Sequence, residues 1–421
     1  MDNPLPNAIL GNMTWDTDIL IAGGGLNGPS LALALTQSGF RVTVVDARPA
    51  PDRAEPGFDG RAYALAIASG RLLTAIGVWD AVTDKVQPIL EIKASDGRAG
   101  EGAAPFFLHF DHAEIEEGPM GHMLEDRYLY SAFLQAMQAA PGVRLLSGET
   151  VVAQKVLASG VTVTLASGRT LTAGLLVGCD GRGSGVAARA GIGRVGWGYG
   201  QTALVTAIAH DRDHGGIAQQ FFMPSGPLAI LPLKGGHHSS IVWSEDSDTA
   251  AAIQALPDDT YLQALRPRFG DFLGEISLAG ARFTYPLSLS LAKRFIAPRV
   301  ALVGDAAHGV HPIAGQGLNL GLRDVAALAE VLILARRRGE EPGSASALEE
   351  YQRWRRFDAT ALALGMDTVN WVFSSDNPIL RLGRDLGMGV VGAFPALRRG
   401  FIRQAAGLTG DLPKLLAGRP I

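Results

Sequence analysis

The chain has one cysteine, Cys179, in 421 residues, which excludes an intramolecular disulfide and any cysteine-built metal site and fits a reducing compartment. An excess of one charge is also missing. Lys and Arg total 37 against 41 Asp and Glu, a net charge of −4, and the basic residues cluster only at Arg336-Arg337-Arg338. Nucleic acid is not an expected partner. No run approaches the roughly 20 apolar residues needed to span a bilayer. The nearest, Leu386 to Leu397, contains Pro395 and ends in Arg398-Arg399. It reads as a C-terminal helical segment packed on the protein, with an interfacial segment as the alternative. Met1 to Trp15 lack the basic start and apolar centre of a signal peptide and read as a loose extension. Cytoplasm is the expected location. His237-His238 beside Gly235-Gly236 reads as a hairpin turn, and without cysteines or paired carboxylates at ligand spacing no metal site is expected.

What is present is 47% hydrophobic and 19% charged sequence, enough for a large core in two or three domains. Three glycine-rich elements stand out. In the first, the apolar run Asp18 to Ala22 enters Gly23-x-Gly25-x-x-Gly28, which also contains Leu26 and Asn27, and Leu31 to Leu35 follow with helical spacing. A strand-to-helix turn of this kind presents backbone N–H groups and a helix N-terminus to a pyrophosphate. A second strand, Arg41 to Val45, ends in Asp46, where a carboxylate can accept hydrogen bonds from a ribose diol, and Arg48 follows. A decoy, Gly387-x-Gly389-x-x-Gly392, is set aside: no strand precedes it, and Pro395 would interrupt its helix.

The second element is Leu175 to Gly178 leading into Cys179-Asp180-Gly181. The third runs from the strand Val300 to Val303 through Gly304-Asp305 to the turn Gly315-Gln316-Gly317-Leu318-Asn319, which opens a helix. Its converging N–H groups suit an electron-rich ligand. Downstream of the middle motif, Tyr199 to Val242 alternate short apolar runs with turn signals, which predicts an antiparallel sheet.

The order of these motifs resembles the flavoprotein aromatic hydroxylases. The block His311-Pro312-Ile313-Ala314-Gly315-Gln316-Gly317-Leu318-Asn319-Leu320-Gly321-Leu322-Arg323-Asp324 resembles the diagnostic stretch of the ubiquinone-biosynthesis hydroxylases within that family. The resemblance covers about residues 16 to 420. It departs where Asp46 replaces the usual Glu, where Glu125-Asp126-Arg127 replaces Glu-Asn-Arg, and at Cys179, where Ala is more usual.

The resemblance implies an α/β fold of p-hydroxybenzoate hydroxylase type. Its discontinuous Rossmann-like FAD-binding domain would comprise 16–85, 119–192 and 284–345, with a sheet substrate domain of 86–118 and 193–283 and a C-terminal helical region of 346–421. FAD is expected at Gly23, Gly25, Leu26, Asn27, Gly28, Asp46, Arg48, Arg61, Arg127, Asp180, Gly181, Asp305 and Gly315 to Asn319. In the chemistry it implies, NAD(P)H reduces the flavin, dioxygen adds to it as a hydroperoxide, and the terminal oxygen passes to an electron-rich phenol carbon. His311 and Pro312 are the candidates for a catalytic role, with bracing of the glycine turn as the alternative for His308 and His311. Phe221, Phe222 and Trp243 are candidates to line the pocket of a polyprenylated phenol, or else plain core.

The implied partners are the prenylated phenol and O2, with a multiprotein ubiquinone-biosynthesis assembly or a peripheral membrane contact near Phe394 and Arg398. The alternative substrate is a small soluble aromatic compound. An acidic one would need a buried Arg in the sheet, and between Gln201 and Trp243 there is only Arg212. Reductase or halogenase chemistry and a non-catalytic FAD-holding subunit are further alternatives; the Trp-x-Trp-x-Ile-Pro stretch of halogenases is absent.

Overall fold

The computed structural model describes residues 15–50, 57, 59–100, 102–311, 315–373, 387, 391 and 394–421. Pro312, the residues before Trp15 and most of the second glycine pattern near Gly387 lie outside them. The helices used below are α1 (Asn27–Thr36), α2 (Ile67–Ala75), α3 (Asp126–Ala139), α4 (Gly185–Arg189), α5 (Ser247–Gln254), α6 (Asp258–Phe269), α7 (Gln316–Arg337), α8 (Ala345–Phe373) and α9 (Pro395–Ala405).

The strands with apolar centres pair in parallel. Val300–Leu302, Thr170–Gly178, Thr17–Ala22, Val42–Asp46 and Val143–Ser147 lie side by side in that order. Ile19, Leu20, Ile21, Leu175, Leu176 and Val177 are fully buried, as a sheet covered on both faces requires. Helices α1 and α7 pack together against this core, and α7 is buried along most of its length.

The second large sheet is almost wholly antiparallel. Its order is His308–Gly309, Phe283–Ala292, Arg194–His210, His238–Asp246, Gly226–Leu233, Ile217–Met223, Glu91–Arg98 and Gly102–Asp111, with Ile276–Leu278 paired to Arg194–His210. Helices α5 and α6 cover one face and build a separate core with Trp243, Tyr261 and Leu265. The long helix α8 packs on α7 and touches the sheet with its last turns.

The expected α/β architecture is observed, and Pro395 starts α9 at a position where its missing N–H costs nothing. The expected domain limit at 284 falls inside one strand. Phe283–Ala292 takes its ladder from the antiparallel sheet, yet Leu289, Leu291 and Ala292 pack into the parallel-sheet core.

Candidate dinucleotide and substrate site

The three motifs meet pairwise. A Cβ on Gly23 would collide with the Cys179 carbonyl, which joins the first turn to the middle one. The Asn27 side chain lies between Gly304 and Gly321, where a Cβ at either position would strike it, so the first turn also meets the third. The middle and late motifs are joined by Val303 N–H donating to Gly178 O at 2.9 Å and by Arg182 Nε reaching Asp305 Oδ2 at 3.3 Å. Arg182 follows the middle Asp-Gly pair directly, and sequence reasoning overlooked it.

Within the first turn each glycine has its own reason. A Cβ on Gly28 would run into the Gly23 carbonyl, so only glycine lets α1 start this close to the strand. Gly25 has nothing within 4 Å of where a Cβ would be, which leaves open space over the turn. Leu26 holds the N-cap position without capping through its side chain, and the first turn of α1 has no acidic residue. The positive end of the helix is left for a ligand. Asp46, 8% exposed, folds back over Gly24, and its Oδ1 accepts the Arg48 N–H at 3.1 Å. The Arg48 side chain is exposed.

Helix α7 repeats this arrangement. Its N-cap, Gly315, is in the left-handed region at φ 62°, no side chain caps it, and the first turn has no acid. Gly317 faces open space. The Asn319 side chain is used up as a brace: Oδ1 accepts from Ala66 N–H at 2.9 Å and Ser69 Oγ at 2.7 Å, while Nδ2 donates to Ala64 O at 2.9 Å. It therefore fixes the turn and leaves ligand contact to the backbone. Asp180 is spent in a similar way, with Oδ1 bonded to Ser184 Oγ and Oδ2 accepting Val186 N–H at the start of α4.

Behind the late motif is a buried polar cluster that sequence reasoning did not foresee. Asp324, fully buried, accepts Gly304 N–H at 2.9 Å, His308 Nε2 at 2.5 Å and Arg355 Nε at 2.8 Å. Burial alone would raise the Asp324 pKa, but attraction to His308 and Arg355 and their hydrogen bonds bring it below the usual value. Arg355 and Arg323 both pair with Asp358, and Arg323 also donates to the carbonyls of Gly407 and Thr409. The chain's last turns are thereby tied to the glycine turn.

Arg61 pairs with Asp59 at 2.6 Å and stands 3.5 Å from Asp126. Arg127 bonds Glu125 at 2.6 Å, stacks 4.5 Å over the Tyr128 ring and lines a cavity of about 390 Å³ with Lys85, Lys234 and His238. The three pocket aromatics do not share a face, because adjacent residues on a strand point to opposite sides. Phe221 and Trp243 lie in the core under α5 and α6, whereas Phe222 packs 4.1 Å from Phe373 of α8. Arg212 is exposed and donates to the carbonyls of Asp271 and Phe272, so it provides no buried anchor. His311 is buried beside Tyr199, their rings edge to face at 5.1 Å. No cluster able to hold a metal ion occurs among the described residues.

The residues fit a bound dinucleotide: two uncapped helix N-termini, two glycines facing open space, and a buried Asn27 Oδ1 without a hydrogen-bond partner. The FAD binding domain family matches residues 16–364. The chain is 44% identical over 416 residues to the ubiquinone hydroxylase UbiL of Rhodospirillum rubrum, covering 98% of this chain and 95% of that protein. It is 36% identical over 396 residues to the 3-demethoxyubiquinol 3-hydroxylase of Escherichia coli K12, covering 93% and 99%. Among solved structures, p-nitrophenol 4-monooxygenase PnpA from Pseudomonas putida DLL-E4 superposes with a TM-score of 0.78 at 21% identity, over 94% of this chain and 98% of that one, which speaks for the fold alone.

Proposed function

This chain belongs to the FAD binding domain family, and on that premise we propose that it hydroxylates the aromatic ring of a polyprenylated phenol in ubiquinone biosynthesis. The observation that carries the reading is the pairwise meeting of the three motifs around two uncapped helix N-termini. Bound FAD, reduced by NAD(P)H, supplies the activated oxygen. The chain's own residues bind, orient and exclude water.

In this reading the α1 turn from Gly23 to Gly28 takes the pyrophosphate, and Asp46 takes the adenosine ribose. Asp305 and the Asp180-Gly181 turn flank the middle of the cofactor, with Arg182 holding those two motifs together. The backbone of Gly315 to Asn319 would hold the flavin ring, and the positive end of α7 would stabilise the charge that develops on reduction. Residues 16–85, 119–192 and 284–345 form the cofactor-binding part, 86–118 and 193–283 the substrate part, and 346–421 the C-terminal part.

An apolar cavity of about 500 Å³ supports a prenylated substrate. It runs beside Gln316 and Asn319, between α7, α8 and α9, to Val369 and Phe401. Leu364 and Trp371 on α8 and Phe394, Leu397 and Phe401 on or next to α9 are exposed, and Phe401 also lines this cavity. Helix α9 has no acidic residue and exposes Arg399 and Arg403, while Arg398 is paired with Glu114 at 3.1 Å. A face of apolar and basic residues suits an anionic membrane surface, from which a long isoprenoid tail would be drawn. No helix among the described residues is long and apolar enough to cross a membrane.

The test is turnover of the FAD-loaded protein with NAD(P)H, a short-chain prenylphenol and labelled dioxygen. Incorporation of one heavy oxygen atom into the ring is expected. Oxidation of NAD(P)H that yields only hydrogen peroxide with prenylphenols, but ring oxygenation of a small soluble phenol, would overturn the prenylated substrate.

A further inference from the structure

His311 is 1% exposed, yet neither of its ring nitrogens has a hydrogen-bond partner. A neutral imidazole carries one N–H donor and one acceptor lone pair, and buried polar groups are almost always satisfied. Both nitrogens are therefore left available to a ligand. The strand Arg194–His210 slips register between Gly198 and Thr202 against Phe283–Ala292. Tyr199 sits in this irregularity, beside Gly200 at φ 68°, and bulges of this kind re-aim side chains next to functional sites. Here the slip brings the Tyr199 ring onto His311.

The Tyr199 hydroxyl is also buried. Asp367 of α8 is near enough to act on its charge, but no well-formed hydrogen bond joins them. Trp197 Nε1 donates to the same Asp367 at 3.2 Å, and Phe222 lies against Phe373 further along α8. The Tyr199 ring thus covers one side of His311, four residues before the N-cap of α7.

We propose that His311 is the docking point for the ring hydroxyl of the substrate: its acceptor nitrogen receives the phenolic O–H beside Tyr199. The assignment rests on the phenol reading above. No bond breaks on docking. The proton stays on the phenol oxygen, shared along O–H···N, and this polarisation raises electron density at the ortho and para carbons. Burial, together with the positive charge of Arg182 and against the pull of Asp367, holds His311 neutral at physiological pH. The acceptor is therefore always available, and a single directional contact fixes which ring carbon faces the cofactor.

The experiment measures binding to the oxidised, FAD-loaded protein, without turnover, of a short-chain prenylphenol and its O-methyl ether, which keeps shape and tail but cannot donate. Wild-type protein is expected to prefer the phenol by about tenfold or more, the worth of one hydrogen bond to a buried acceptor. His311→Phe is expected to reduce this preference to below about threefold while binding the ether nearly as wild type does. If His311→Phe loses FAD, His311→Asn carries the same comparison and is expected to fall between the two. An unchanged preference in the variant overturns the docking role. Wild-type protein that binds both compounds equally overturns it as well. Wild-type protein that binds neither overturns the phenol reading itself, and the role of His311 with it.

Discussion

Asp324 accepts the backbone N–H of Gly304 at 2.9 Å from the third turn of the following helix, so the glycine turn is held by a carboxylate twenty positions away. The same carboxylate holds His308 and Arg355, which makes it the joint between α7, α8 and the turn. Asp324→Asn leaves Arg355 buried with only Asp358 to balance it, and removing one partner of such a pair costs about 3 to 5 kcal/mol. Urea unfolding at pH 7 is expected to show that loss, with reduced FAD content. The Asp324 pKa is depressed in the folded state, so its contribution is fully present above about pH 4, the unfolded value, and disappears as pH falls through the folded one. A variant within about 1 kcal/mol of wild type at pH 7 would contradict this role.

Gly25 and Gly28 separate ligand space from packing space. Gly28→Ala forces a Cβ into the Gly23 carbonyl and is expected to destabilise even the FAD-free protein by about 1 to 3 kcal/mol. Gly25→Ala meets nothing in the protein and should leave the FAD-free melting temperature unchanged while weakening FAD binding at least tenfold. Melting curves with and without FAD check both.

Burial, reinforced by Arg182 and opposed by Asp367, brings the His311 pKa down to about 4. The unfolded chain then takes up a proton near pH 6.5 that the folded protein refuses until about pH 4. Stability from this group is present above about pH 6.5, is lost as pH falls toward 4, and amounts to roughly 3 kcal/mol across that window. His311→Phe should flatten that part of the stability profile, and denaturant titrations at pH 7, 5.5 and 4.5 read it directly.

Phe222 and Trp243 should behave oppositely. Trp243 is fully buried beneath α5 and α6, against Tyr261 and Arg268. Its replacement by Ala is expected to cost about 3 to 5 kcal/mol without changing substrate affinity in the folded fraction. Phe222→Ala should raise the KM for a prenylphenol severalfold with a smaller loss of stability. Equal effects on KM would contradict the division of the sheet into two faces.

The sequence made the cofactor region legible because each motif is a local strand–turn–helix unit, whose geometry follows from glycine spacing and apolar runs within about fifteen residues. The same logic failed wherever a side chain's partner came from afar. Asn319 was expected to present its backbone to the cofactor, and the side-chain brace it makes with Ala64, Ala66 and Ser69, some 250 positions earlier, was out of reach of local spacing. Arg355 carried no signal at all, since its meaning depends on α8 crossing α7. The separation of Phe221 from Phe222 was readable from strand alternation alone, and treating them as a pair ignored it. Arg182 adjoined a recognised motif and was within reach. Tyr199 was not, because a bulge can be read only once the partner strand is known.

The central claim, ring hydroxylation of a prenylated phenol for ubiquinone, is tested most directly by mass spectrometry of the lipid-soluble quinones and phenols in cells lacking this gene. Loss of ubiquinone and accumulation of a prenylphenol short of one hydroxyl group, both reversed by the wild-type gene, is the expected result, and the missing hydroxyl identifies the carbon. Unchanged ubiquinone with no such intermediate, in cells without a second gene of this family, would contradict it.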